Sequence, residues 1–217
     1  MIYVTVPGDT VSSISRQSGV PAWKIIYDNQ LGEEGKLTVG QALLLLKPQE
    51  SAEIRENLYV TGYAYPFIEP YVLEMAFPAL NELLVFSYGF TFEGELVPPI
   101  QDETWMIQLA WENGIEPMLV LTPFTQGVFN NQLIQTLVEE ESVRENVITN
   151  LLKVVEEKGY VGVDVDFEYV RAQNREGYAE FVGELRAAMN EKGYRVSVAL
   201  APKTSSDQKG LLYEGID

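Results

Sequence analysis

Neither cysteine nor histidine occurs among the 217 residues of the chain. The absence of cysteine excludes a disulfide framework and thiolate chemistry, and the absence of histidine excludes a Ser–His triad. Zinc sites are built mainly from these two residue types, so no metal site is predicted. Acid–base or nucleophilic chemistry would have to use carboxylates, tyrosine or lysine, and no organic cofactor is implied.

Basic residues are scarce as well. Fifteen Lys and Arg stand against 32 Asp and Glu, which gives a formal net charge of −17. This charge argues against nucleic acid and anionic membranes as partners, although solubility alone is the simpler explanation for it. No apolar run reaches the length of about 18 residues that a membrane span needs. The first residues do not follow the pattern of a secretory signal, so we do not expect export by the general pathway.

The most informative segment, Gly162 to Val170, reads GVDVDFEYV. Acidic and apolar residues alternate in it with the period of a β-strand, so Asp164, Asp166 and Glu168 should point to one face. Its flanks favour a strand buried on both sides, where clustered carboxylates raise each other's pKa. That cost is usually tolerated where chemistry needs a proton near neutral pH. The alternative is a solvated edge strand with an acidic face.

The chain divides by pattern into three parts. Residues 1–48 predict a β-α-α-β module, whose first helix is capped by Asp9 or Thr10. Residues 49–56 are a polar linker. Residues 57–217 alternate apolar strands with helices, which is typical of a parallel β/α architecture. Strands are predicted at 59–64, 83–90, 117–122, 161–170 and 195–201, and helices at 103–113, 131–137, 142–158 (with a Ser142–Glu145 capping box) and 175–192.

The acidic segment resembles the D-G-x-D-x-D-x-E signature of glycoside hydrolase family 18, the chitinase-like (β/α)8 barrels. Val161 stands where the longest form of the motif has its first Asp. By position, Glu168 matches the general acid/base, Asp166 the residue that stabilises the substrate's N-acetyl group, and Asp164 the inner carboxylate that shares its proton. The resemblance implies a retaining, substrate-assisted glycosidase, in which the acetamido oxygen of the substrate is the nucleophile.

A closed barrel of this type needs about 250 residues, and about five strands fit after the linker. The Met-x-Tyr-Asp segment of the family's sixth strand and the Trp of its eighth have no counterpart here. The predicted fold is therefore α/β, a partial (β/α)8 TIM barrel preceded by the small module. A fragment of a longer protein and a truncated product both fit this pattern. Unpaired sheet edges predict association, but the oligomeric state stays open.

Residues 1–48 resemble a LysM domain, a module that binds peptidoglycan, chitin and other N-acetylglucosamine polymers. The motif residues stand in the expected order: Tyr3, Gly8-Asp9-Thr10, Ile14, Asn29, Val39-Gly40-Gln41 and Leu43. The resemblance implies a shallow groove between two loops. The residues that it would place there are Gly8, Asp9, Thr10 and Val11 on the first loop and Asn29, Gln30 and Leu31 on the second. A structural role is an equal alternative for the loop residues, and the favoured one for Asn29.

The combination of the two domains resembles the spore cortex-lytic enzymes of spore-forming bacteria, as do the segments 165–170 and 200–210. It implies an N-acetylglucosaminidase that acts on cortex peptidoglycan during germination. Such a protein is made in the cytoplasm and placed in the spore cortex or coat without a signal peptide. Two alternatives remain, a non-catalytic peptidoglycan-binding protein with an inactive barrel and a chitinase that acts on chitin.

Three further residues are candidates for substrate binding. Tyr63 and Tyr88, on the first two predicted strands of the barrel, could stack on sugar rings, although aromatic residues in strands are more often part of the core. Lys203 follows the fifth strand, at the end of the barrel where active sites form, but a lysine in a loop is more often only solvated.

Overall fold

The structure, a computed structural model, describes residues 1–32, 35–47, 58–125, 127–203, 205 and 207–208. It separates into two compact units, Met1–Leu58 and Tyr59–Asp217. The predicted linker, 49–56, lies outside the described residues, as does most of the segment 204–217.

The first unit has the predicted β-α-α-β order, with its two strands antiparallel. Thr10 caps the first helix, because its hydroxyl accepts from the Ser13 amide while the Ser13 side chain accepts from the Thr10 amide. Val11, Ile14, Val20, Ile25, Leu43 and Leu45 form its core. Its elements are β1 (Ile2–Val4), α1 (Val11–Ser18), α2 (Ala22–Asp28) and β2 (Ala42–Leu44).

The second unit alternates strands with helices. Its strands are β3 (Thr61–Ala64), β4 (Glu82–Phe90), β5 (Leu96–Val97), β6 (Glu116–Leu121), β7 (Phe124–Thr125), β8 (Val128–Phe129), β9 (Gly162–Val165) and β10 (Arg195–Val198). Its α-helices are α3 (Pro70–Ala76), α4 (Thr104–Glu112), α5 (Asn131–Glu139), α6 (Glu141–Lys158) and α7 (Arg175–Glu191), with short 3-10 turns at Phe77–Ala79 and Ala172–Asn174.

Five strands form one parallel sheet in the order β3, β4, β6, β9, β10, which is also their order in the chain. This is the succession of a (β/α)8 barrel, and it confirms the predicted α/β fold. β5 adds antiparallel to the end of β4, and β7 pairs with β8 in a separate hairpin. Within the described ranges β3 and β10 remain the two edges, so the barrel is not closed there.

The two faces of the sheet differ in what covers them. Leu83, Val85, Leu119, Val163 and Val165 point to the helices and join the main core. Leu84, Met118 and Val120 form a separate small cluster on the opposite face, which we call the concave face. Val120 is paired with Asp164 in the register of β6 and β9, which places Asp164 on the concave face.

Some element boundaries were wrong. The acidic strand ends at Val165 rather than 170, and the fifth strand ends at Val198 rather than 201. Helix α3 was not predicted. The Ser142–Glu145 capping box does not form, because Glu140 alone joins α5 to α6, so Ser142 already lies inside the first turn. The predicted end of α6 is confirmed, with Gly159 left-handed at φ 81°.

Candidate active site

The three acidic residues lie at the carboxyl end of β9, where parallel β/α sheets generally bind their ligands. Asp164 belongs to the strand itself, while Asp166 and Glu168 follow it. The Asp166 amide still donates to the Leu121 carbonyl at 2.9 Å, which keeps Asp166 aligned with the neighbouring strand. Burial decreases along the row: Asp164 is 3% exposed, Asp166 is half-buried and Glu168 is exposed.

Asp164 is a buried carboxylate with a hydrogen bond to each oxygen. The Tyr63 hydroxyl donates to Oδ2 at 2.7 Å, and the Ser197 hydroxyl donates to Oδ1. Burial, followed by the hydrogen bond to Asp164, raises the pKa of Tyr63, so its hydroxyl keeps its proton. These donors offset the cost of burying the carboxylate in the sheet.

The carboxyl of Asp166 binds a proton more tightly than a free aspartic acid side chain does. Burial first, then the negative charges of Glu168 and Asp164, raises the pKa of its carboxyl from 3.8 to about 6. A carboxyl with this pKa exchanges a proton near neutral pH, so it can act as a hydrogen-bond donor or as an acceptor.

Glu168 and Asp166 separate two depressions in the surface. The larger, which we call the cleft, has a volume of about 320 Å³ and is lined by Phe86, Pro123, Phe129, Asn131, Asp166, Glu168 and Tyr169. The smaller, of about 160 Å³, lies toward the chain that follows β10 and is lined by Asp166, Phe167, Glu168, Val170 and residues 199–202. The cleft is large enough for a small ligand such as one sugar unit.

An apolar groove adjoins the cleft, and Phe86 and Phe129 line both. Its volume is about 490 Å³. Tyr65 stacks on Phe67 with ring centroids 4.9 Å apart, and both rings are about half or more exposed. Exposed aromatic faces of this kind can pack against the apolar faces of sugar rings.

Tyr63 lies in this site, whereas Tyr88 does not. Tyr88 is 2% exposed and belongs to the core under the helices, where its hydroxyl donates to Glu103 at 2.6 Å. Strict alternation along β4 would place Tyr88 on the concave face with Leu84. The pairing of β4 with β6 shifts register between Val85 and Tyr88, which turns Tyr88 to the other face. Its prediction as a substrate-binding residue is therefore wrong.

Lys203 is half-buried and follows residues 199–202, which line the smaller depression. Lys203 also interacts with another group of the protein. Its role in substrate binding remains a prediction.

In the first unit the residues of the first predicted loop have structural partners. Gly8 is left-handed at φ 92°, and Asp9 accepts from the Tyr3 hydroxyl at 2.9 Å and the Val6 amide at 2.8 Å. Val11 is only 7% exposed and packs in the core, which corrects its placement on the surface of a groove. Gly8 and Thr10 remain exposed.

The second loop is held by Asn29. Its side-chain amide donates to the carbonyls of Ile25 and Leu44 at 2.9 Å, and its Oδ1 accepts from the Leu44 amide at 2.6 Å. Asn29 therefore ties α2 to β2, in agreement with the structural role favoured for it. Leu31 packs against the core, while Gln30 is exposed with φ 50°.

Several residues of the site were not predicted from the sequence. Ser197, two positions after Arg195 on β10, has the spacing of a residue on the concave face. Asn131 and Phe129 lie around the start of α5, after the third parallel strand, in a position where barrel loops commonly carry functional residues. Tyr169 directly follows Glu168 in the acidic segment.

Across the described ranges, no group of three or more Asp, Glu, His or Cys side chains is placed to hold a metal ion. None of the helices found there is long and apolar enough to cross a bilayer.

Family models match parts of both units. Residues 127–216 match the family described as glycosyl hydrolases family 18, and residues 3–45 match the LysM domain. The cortical fragment-lytic enzyme of Bacillus subtilis (strain 168) is 30% identical over an alignment 267 residues long, which covers 100% of this chain and 61% of the relative.

Two crystal structures of the spore cortex-lytic enzyme SleL also match. The Bacillus cereus protein has a TM-score of 0.65 and 29% identity, and the Bacillus megaterium QM B1551 protein has a TM-score of 0.67 and 26% identity. Each match covers 100% of this chain and 50% of the other, so the chain spans about half the length of these proteins. The chain is therefore similar to the LysM domain over residues 3–45 and to glycosyl hydrolases family 18 over residues 127–216.

Proposed function

We propose that this chain is part of a glycosidase that hydrolyses N-acetylglucosaminyl linkages of spore cortex peptidoglycan with retention of configuration. The observation that carries the proposal is the graded row of carboxylates at the end of β9, in which Asp166 has a pKa of about 6 beside an exposed Glu168. Relatives named as cortical fragment-lytic and spore cortex-lytic enzymes support the choice of substrate.

Glu168 borders the cleft and is the general acid. As the substrate's acetamido oxygen attacks the anomeric carbon, the glycosidic C–O bond breaks and the leaving oxygen takes the proton of Glu168. The product of this step is a cyclic oxazolinium ion. Water then attacks the anomeric carbon and gives its proton to Glu168, and the ring opens to restore the acetamido group. Two inversions at one carbon retain the configuration.

Asp166 and Asp164 support this chemistry in different ways. Asp166 lies beside Glu168, where its carboxylate stabilises the positive charge of the oxazolinium ion and accepts from the amide N–H of the acetamido group. Asp164, held by Tyr63 and Ser197, is the inner carboxylate that shares the proton of Asp166, and it takes up that proton when Asp166 acts as the carboxylate. Lys203 is a further candidate for substrate contact.

The LysM domain would hold the chain on the polymer while the cleft acts on single linkages. Exposed Gly8, Thr10 and Gln30 are the parts of its two loops available to contact glycan. Asp9, Asn29 and Leu31 would shape the groove through their structural contacts. Such a protein would work in the spore cortex.

The proposal is tested by release of soluble fragments from purified cortex peptidoglycan by the parent chain, Glu168→Gln and Glu156→Gln. Glu156 is an exposed matched control near the end of α6, a helix that leads into the opposite end of β9. We expect fragments with reducing-end N-acetylglucosamine from the parent and the control only, and equal sedimentation of all three with the polymer. Equal release by the parent and Glu168→Gln would refute the assignment.

A second function is favoured by one observation, the open edges of the sheet at β3 and β10 within the described residues. In this alternative the chain binds peptidoglycan and does not hydrolyse it. Its signature in the same assay is sedimentation of all three proteins with the polymer and no release by any of them.

A further inference from the structure

Glu168 and Tyr169 form a two-residue turn between two buried residues. Phe167 before the turn is 4% exposed and stacks on Phe90 and Phe181, and Val170 after the turn is 3% exposed. Glu168 and Tyr169 between them are both exposed. A regular strand would alternate its faces residue by residue, so two exposed residues between two buried ones require the backbone to turn.

Tyr169 makes this turn with an unfavourable backbone. Its φ of 57° lies in the left-handed region, which residues other than glycine and asparagine rarely adopt. Residues held in this way cluster at functional sites, where the surrounding structure keeps them in place.

The contact that holds the turn comes from Asn131. Its side-chain amide donates to the Tyr169 carbonyl at 3.3 Å. Asn131 is the first residue of α5. The preceding residue, Asn130, makes two hydrogen bonds that hold the start of this helix. Its backbone amide donates to the Pro123 carbonyl at 2.8 Å, and its side chain accepts from the Gln132 amide at 3.0 Å. The donor therefore belongs to a well-anchored helix start.

Asn131, Tyr169, Glu168 and Asp166 all line the cleft. We propose that Asn131 is a positioning residue, which keeps Tyr169 left-handed and thereby aims the Glu168 carboxyl into the cleft beside Asp166. The inference rests on the proposed function for its catalytic consequence, but the backbone geometry that it concerns can be measured without activity. Asn131 is not required to touch the reacting atoms.

The kinetic test compares Asn131→Ala with Gln132→Ala, an exposed neighbour on the same helix, in cortex fragment release. We expect kcat to fall about tenfold for Asn131→Ala with KM changed less than about twofold, because the acid is misdirected while binding is kept. A second background, Tyr169→Asn, adopts the left-handed backbone more readily. In that background the Asn131→Ala change should lower kcat by less than about threefold. A purely structural role of Asn131 would not produce this rescue.

The geometric test is the crystal structure of the parent and of Asn131→Ala. We expect Tyr169 to be left-handed in the parent and to leave that region in the variant, with Glu168 displaced from the cleft. A variant that keeps φ near that of the parent overturns the proposal, whether or not the chain is active. Equal activity of the parent and Asn131→Ala also overturns the positioning role of Asn131, provided that the parent is active. If instead the parent is no faster than Glu168→Gln, the proposed function is contradicted, and the crystal structures alone decide whether Asn131 positions Tyr169.

Discussion

The hydroxyl of Tyr63 reaches Oδ2 of Asp164 at 2.7 Å, although β4 and β6 lie between their strands. Neighbouring strands are about 4.8 Å apart, so a flat sheet would separate β3 and β9 by roughly 14 Å. The sheet must therefore curve strongly, with Asp164 on its concave face. Arg195 of β10 and Glu82 of β4 repeat this relationship at the opposite end of the strands, with 2.9 Å between Nη2 and Oε1.

Tyr63→Phe removes one of the two hydroxyls that the described residues donate to the buried Asp164 carboxylate. We expect the free energy of unfolding to fall by about 1–2 kcal/mol, measured by urea denaturation, because the carboxylate loses a charged hydrogen bond. Tyr65→Phe is the matched control, since Tyr65 is about half exposed and stacks through its ring. Equal losses in the two variants would contradict a specific role for the hydroxyl.

Asp166→Asn should change how stability depends on pH. The pKa of the Asp166 carboxyl is about 6 in the folded chain and 3.8 as a free group, so the folded state prefers the protonated form. Stability is therefore lost as the pH rises from about 4 to 6, and the penalty is complete above that window. Asparagine removes the penalty.

The variant should accordingly be more stable than the parent at about pH 8, by roughly 1 kcal/mol because the carboxyl is only half-buried, and nearly equal at about pH 4. Thermal melts across this range measure the difference. A gap that widens toward acid would contradict the sign, and cortex fragment release should fall at every pH.

Arg195→Met should destabilise the second unit. Arg195 bridges Glu82, which is 5% exposed, and the more exposed Glu116. Burial already raises the pKa of Glu82, and the arginine opposes that effect. Among the described residues, loss of the cation leaves this buried carboxylate with the Tyr59 hydroxyl at 3.3 Å, so we expect a loss of about 2–3 kcal/mol in urea denaturation.

Glu82→Gln added to Arg195→Met separates charge from packing. The double variant should recover about half or more of the lost stability, because no unpaired buried charge remains. A double variant as unstable as Arg195→Met alone would show that the aliphatic part of the arginine, rather than its charge, stabilises this end of the sheet.

Gly162→Ala should be strongly destabilising although the change adds one methyl group. A Cβ at Gly162 would lie 2.1 Å from the Arg195 carbonyl oxygen, and backbone in a paired strand cannot move aside easily. We expect a loss of at least about 3 kcal/mol. Gly183→Ala on α7, where a Cβ meets nothing within 4 Å, should instead gain about 0.5–1 kcal/mol. Similar effects at both glycines would contradict this explanation.

Local patterns predicted the order of strands and helices, the small first unit and the segment that carries the acids. These follow from alternation, from caps such as Thr10 and from breaks such as Gly159, all of which act over a few residues. Tyr88 was misplaced because a register shift is set by pairing with β6, which the sequence of β4 does not encode. The partners of Asp164 could not be predicted, since Tyr63 and Ser197 meet it only when the sheet curves.

The two hydroxyls on Asp164 have a consequence for biosynthesis. One comes from the first parallel strand and the other from the fifth, so the carboxylate cannot acquire both partners until translation has passed Ser197. Contacts so distant along the chain form late in folding. The row of acids therefore gains its full set of hydrogen bonds only after the fifth parallel strand has joined the sheet, late in the folding of this unit.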